Sequence, residues 1–136
     1  RAGRGRRQRR RVAPHRLVAV TDAMAAAGAD DGRYRLGAQE IDVRDGVARV
    51  TGTTTLAGST ATADRLFRSV AGGAPSDPSL LRAVAQTSTN PARRLGGDDL
   101  GLLAPGARAD LVALDASSLE VHRVMRAGAW VGTASG

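Results

Sequence analysis

The chain has 136 residues, a formal net charge of +7, no Cys, and one each of Phe, Trp and Tyr. That length suits one domain whose modest core must come from Leu, Val and Ala. The missing thiols exclude disulfides and thiolate metal sites, and no apolar run approaches the ~18–20 residues needed to cross a membrane.

The charge is uneven. Seven Arg fall within residues 1–11, and the other thirteen balance thirteen Asp and Glu, with no Lys in the chain. Residues 1–13 form a low-complexity basic tail. Arg-Gly-rich text is what GC-rich DNA yields in a wrong frame, so a frame or start-site artefact ranks first. A solvated tail ranks second. A nucleic-acid arm ranks last, because no aromatic is present for base stacking and binding would be electrostatic and unspecific. No apolar segment or cleavage site follows the tail, so no secretory signal is expected and a cytoplasmic location is the default.

Pro14 blocks helix, and His15 reads as a surface residue, since no second ligand stands beside it at metal-binding spacing. Leu17 to Val20 are apolar without alternation, which predicts a strand over 17–21 buried on both faces. Asp22 ends it. In α/β architectures the end of such a strand faces the ligand crevice, and a carboxylate there needs a metal, a cation or a proton to hold. The blander reading, a cap on the following turn, has even odds on spacing alone. Met24 and the Ala run after it suit either a pocket floor or, individually, core packing.

Three strands follow. Tyr34 and Leu36 alternate in the first, Ile41 and Val43 in the second, and Asp45-Gly46 is a hairpin signal leading to Val47, Arg49 and Val50. Leu56-Ala57-Gly58-Ser59 precedes a helix capped by Ser59 or Thr60, with Ala63, Leu66, Phe67 and Val70 at helical spacing. Gly58 there would let backbone N–H groups approach a ligand. On residues alone, an ordinary strand-to-helix loop is preferred. Ser76-Asp77-Pro78 opens a second helix with Leu80, Leu81, Val84 and Ala85 facing inward, and Asn90-Pro91 opens a short third one ending at Gly96-Gly97. Strands return at Leu111–Leu114, at Leu119, Val121 and Val124, and at Ala129–Val131, with His122 on the surface. A meander split by helices suggests that both β parts join one small sheet or sandwich.

The block Val20 to Gly28, with Asp31 to Gly37, resembles the N-acetylglucosamine-6-phosphate deacetylases, which are sugar-phosphate amidohydrolases. Leu56–Ser59, Asn90–Arg93 and Gly101–Leu114 fall in that family's order, so the resemblance covers about residues 14 to 131. It implies an α/β fold class, with this chain as the C-terminal part of a metal-dependent (β/α)8 barrel plus the C-terminal part of a small β-sandwich domain. Residues 14–32 would be the last barrel strand with its catalytic loop, 33–55 a β meander, 56–97 a barrel loop and helices, 98–131 the sandwich strands, and 132–136 a tail.

The reaction implied is hydrolysis of N-acetylglucosamine 6-phosphate to glucosamine 6-phosphate and acetate. Asp22 matches the family's general base and then general acid. Leu56, Ala57, Gly58 and Ser59 match the loop lining the sugar. The resemblance also implies a divalent metal, Zn or Fe, in the complete enzyme. Its Glu and His ligands, like the phosphate-binding positions, lie on earlier strands that this chain does not contain, so the chain alone is expected to be incompetent. An amino-sugar phosphate is the expected partner, a homodimer is implied for the complete enzyme, and neither membrane nor nucleic acid is expected. The rival readings are an amidohydrolase for another amide, a basic-tailed nucleic-acid module and a stand-alone β-rich interaction domain.

Overall fold

The computed structural model describes residues 16–72 and 76–132. Expectations for the basic tail, Pro14, His15, Gly73 and the end of the chain fall outside those residues.

The first meander forms as the alternation predicts. Strands β1 (Gly32–Leu36), β2 (Gln39–Arg44), β3 (Val47–Val50) and β4 (Leu56–Ser59) make one antiparallel sheet in that order. Tyr34, Ile41 and Val50 stand opposite one another, as do Val43 and Ala48, so one face is apolar. Ile41, Val43 and Ala48 are buried. On the other face Asp42 pairs with Arg33 at 3.3 Å and stands opposite Arg49. The β2–β3 turn is Asp45-Gly46 with φ of 51° and 70°, both positive as a two-residue type I′ turn requires. Asp31 holds that turn from outside, its carboxylate accepting the Asp45 and Gly46 N–H groups.

Helix α1 (Ala63–Ala71) starts later than its cap signal suggested. Its N-cap is Thr62, whose hydroxyl donates to Asp64. Ser59 is still in β4, and Thr60 is buried with its hydroxyl donating to Gly46 O, so neither can cap. Asp64 also pairs with Arg68 one turn on, at 2.8 Å, and Gly72 ends the helix. Helix α2 (Asp77–Val84) begins at the expected place, in a capping box between Ser76 and Ser79. Its inward face is corrected: Ala83 is buried, whereas Leu81 is 70% exposed and Val84 43% exposed. The face that meets α1 runs through Leu80 and Ala83, one position round from the expected stripe.

The third helix starts at Asn90 as expected, as α3 (Asn90–Arg94), but the backbone before it is already helical, running from α2 through a π turn at Ala85–Thr89. Asn90 is therefore interior and buried rather than an exposed cap.

Strands β5 (Leu111–Leu114), β6 (Val121–Arg126) and β7 (Ala129–Val131) form a second antiparallel sheet. The two meanders are thus two separate sheets, not one. Leu119 is not in β6. It sits at φ 57° and is buried with Ala71 and Ala83, tying the β5–β6 turn to the helices. The turn is built on Asp115, whose carboxylate accepts the N–H groups of Ser117 and Ser118 and the Ser117 hydroxyl.

Those bonds, the Ser117 hydroxyl foremost, hold the Asp115 carboxyl well below the usual carboxylate range. A depressed folded-state pKa stabilises above the unfolded value and loses that effect as pH falls through the folded one. The turn is therefore expected to keep its amide protection at pH 4 and to lose it only in stronger acid. Carboxyl NMR titration with amide exchange over residues 115–121 measures this; loss of protection above pH 4 would contradict it.

The expected strand at 17–21 carries no ladder among the described residues. Leu17 and Val18 are about 40% exposed and Val20 74% exposed. A buried parallel strand needs neighbours on both edges, and among the described residues the segment is held by isolated bonds. Ala19 N–H donates to Gln86 O at 2.9 Å, Asn90 Nδ2 donates to Leu17 O at 2.7 Å, and Ala23 bridges Ser59.

Candidate functional site

The segment that ends at Asp22 meets the sheet at β4. Ser59 N–H donates to Asp22 O at 2.8 Å, and Met24 N–H donates to Ser59 O at 2.9 Å, a short parallel bridge centred on Ala23. Asp22 sits at φ 51°, a left-handed conformation that Asp tolerates better than most residues. The chain then turns at once. Met24 and Ala26 are buried with Ile41, Val43 and Ala48, with Ala57 packed beside them. The Met24 sulfur accepts the Ala26 N–H at 3.1 Å. Met24 and Ala26 thus pack as core, the second of the two roles open to them.

Gly58 makes the approach of the two backbones achievable. At φ +120° a Cβ would lie 3.3 Å from Asp22 O and 3.3 Å from Met24 Cβ. The structure therefore brings three of the five residues singled out from sequence to one place: Asp22, Gly58 and Ser59. Ala57 turns its side chain into the core. Leu56, 65% exposed, stands opposite Arg49 across the β3–β4 ladder. The segment read as a loop is strand β4 in the structure, and only its last two residues touch the Asp22 backbone.

The Asp22 side chain is exposed and makes no hydrogen bond or ion pair among the described residues. Ser59 Oγ is engaged, accepting the Ala61 N–H at 2.9 Å. Thr60 closes the corner below, with its carbonyl accepting Gly28 N–H at 3.2 Å. Sequence reasoning missed Thr60; a Ser-Thr pair before a helix reads as a cap, and only the tertiary bond to Gly46 distinguishes the two roles.

Among the described residues no group of three or more His, Cys, Asp or Glu converges to hold a metal ion. Asp22 alone does not make a metal centre, so the residues present do not fit one. A depression of about 280 Å³ lies elsewhere, on the charged face of the first sheet, lined by Asp42, Arg44, Arg49 and Thr53. It has no contact with Asp22. At Asp22, by contrast, an exposed carboxylate stands where the backbone of β4 approaches closely.

The sequence profile of the amidohydrolase family matches residues 35–131. Similar proteins include the N-acetylgalactosamine-6-phosphate deacetylase of Escherichia coli O157:H7, 44% identical over 116 residues, covering 82% of this chain and 29% of that one. The human N-acetylglucosamine-6-phosphate deacetylase is 41% identical over 122 residues, covering 87% and 28%. Among solved structures, an N-acetyl-D-glucosamine-6-phosphate deacetylase from Mycobacterium smegmatis is similar with a TM-score of 0.81 and 56% identity, covering 89% of this chain and 32% of that one. That structure is of an aspartate-to-alanine variant in complex with N-acetyl-D-glucosamine-6-phosphate. The chain spans about a third of the length of each of these relatives.

Proposed function

The chain belongs to the amidohydrolase family, and from that premise we propose that it forms the proton-transfer end of an amino-sugar-phosphate deacetylase. The reaction is hydrolysis of N-acetylglucosamine 6-phosphate to glucosamine 6-phosphate and acetate, a step of amino-sugar breakdown. One observation supports this reading above the others. The hydrogen bond from Ser59 N–H to Asp22 O places a solvent-facing carboxylate beside the segment matching the family's sugar-lining loop.

Asp22 takes a proton from the attacking water as its oxygen bonds to the acetyl carbon. The same carboxyl gives that proton to the nitrogen as the C–N bond breaks, so acetate and the free amine leave. One group serves both steps, as general base and then general acid. Gly58 and Ser59 bring backbone close enough to line the substrate, and the buried Met24 keeps the turn beneath Asp22 rigid. The remainder of the catalytic centre, a barrel with its sandwich domain and a divalent metal, belongs to this proposal as parts outside the described residues.

The Escherichia coli relative favours a second substrate, the galactose epimer. Both are tested by one assay. Residues 16–132 replace the matching third of the Mycobacterium smegmatis enzyme, and acetate and amine are measured with each 6-phosphate. Equal amounts of the two products, faster from the glucose epimer, are expected. Faster release from the galactose epimer establishes the second reading, and no release from either refutes both.

A further inference from the structure

The geometry points to Asn90, with the π turn before it, as the positioning device that fixes the Asp22 segment for proton transfer. This rests on the reading of Asp22 as the proton-transfer group. The π turn passes the Asn90 N–H to Ala85 O. One position on, Pro91 has no N–H to offer Gln86 O. That carbonyl instead accepts the Ala19 N–H at 2.9 Å. Four residues along, Asn90 Nδ2 donates to Leu17 O at 2.7 Å, and the Asn90 side chain is buried. The helix thus holds Leu17 and Ala19, while Ser59 holds Asp22 and Met24 at the other end of the segment.

Those ties hold a segment that carries no ladder among the described residues. π turns persist at a cost in helix geometry and concentrate at functional places. Here the altered helix supplies a carbonyl to Ala19 and a side-chain amide to Leu17. Thr87 and Thr89 secure the turn itself, their hydroxyls donating to Ala83 O and Gly101 O at 2.8 and 2.7 Å. Asn90 acts through the backbone that carries Asp22.

Two variants and two readouts test this. Asn90→Ala removes the donor to Leu17. Pro91→Ala supplies an amide that competes for Gln86 O. Amide exchange on the full 136-residue chain is expected to speed up over residues 17–24 and at Ser59 in both variants, with β2 unchanged. In the hybrid enzyme, kcat is expected to fall about tenfold with KM held, a part of the ~10²-fold that a 1 Å misplacement costs. Asn90→Gln, which keeps the donor, should recover part of that loss. Absent protection of residues 17–24 in the parent chain, or exchange there unmoved by either variant, overturns the proposal. So does a rise in KM with kcat unchanged. A hybrid inactive with the parent sequence refutes the deacetylase reading instead, and exchange still decides the positioning role.

Discussion

Asp22→Asn is expected to slow acetate release by ~10²–10⁴-fold while leaving substrate affinity near the parent value. Asn is nearly isosteric and keeps an acceptor oxygen, so the turn at φ 51° and the Ser59–Asp22 backbone bond survive. What it loses is the ability to take a proton at neutral pH. In the proposed mechanism one carboxyl serves both steps, so attack and departure are expected to fail together, and kcat to fall without a compensating change in binding. The Mycobacterium smegmatis relative is known as an aspartate-to-alanine variant with substrate bound, so an aspartate of that enzyme can be removed without losing the sugar phosphate. The control is Asp64→Asn. Asp64 lies in the first turn of α1, bonded to Thr62 and Arg68, and its loss should leave the rate near that of the parent. Steady-state kinetics with isothermal titration on the hybrid enzyme separates the two constants. An Asp22→Asn enzyme with more than about a tenth of the parent rate would make Asp22 a structural cap.

Gly58→Ala is expected to damage both fold and rate. At φ +120° an L side chain strains the backbone by about 1–3 kcal/mol. The new Cβ would also press on Asp22 O and Met24 Cβ, each 3.3 Å away. Neither can yield cheaply, because Met24 is buried and Asp22 O is bonded to Ser59. The Asp22 segment must shift, and a displacement approaching 1 Å lowers turnover by about 100-fold. Gly52→Ala separates strain from position. Gly52 also has positive φ, 75°, but a Cβ there meets nothing within 4 Å. It should lower the melting temperature and spare kcat. Equal losses of rate in the two variants would mean that stability alone, not the approach of β4 to Asp22, sets activity.

The strands of the first sheet were legible because alternation and an Asp-Gly turn are local signals, and nothing distant competes with them at residues 32–50. The start of α2 was legible for the same reason, in Ser76 and Pro78. Asn90-Pro91 marked the start of α3 but not the helical backbone ahead of it, because an Asx-Pro pair has the same local look after a loop and after a π turn. What decides between them is the bond to Leu17, far away in sequence. Leu17, Val18 and Val20 read as buried from their own residues, and their exposure follows from strand neighbours that the described residues do not supply. Likewise, two meanders read alike whether they share a sheet or form two. The meeting of Asp22 with Gly58 and Ser59 was legible only through resemblance, as no periodicity links residues on opposite sides of a hairpin sheet. The left-handed Asp22 and the packing of Leu119 into the helices gave no sequence signal at all.

The central claim is that Asp22 exchanges protons with the substrate amide. A crystal structure of the hybrid enzyme carrying Asp22→Asn, soaked with N-acetylglucosamine 6-phosphate, tests it most directly. The account predicts the side chain at position 22 within about 2.6–3.2 Å of the acetamido group or of one water held against it, with the backbone of Gly58 and Ser59 along the sugar. A sugar phosphate bound with its acetamido group turned away from position 22 and out of reach of β4 would contradict it.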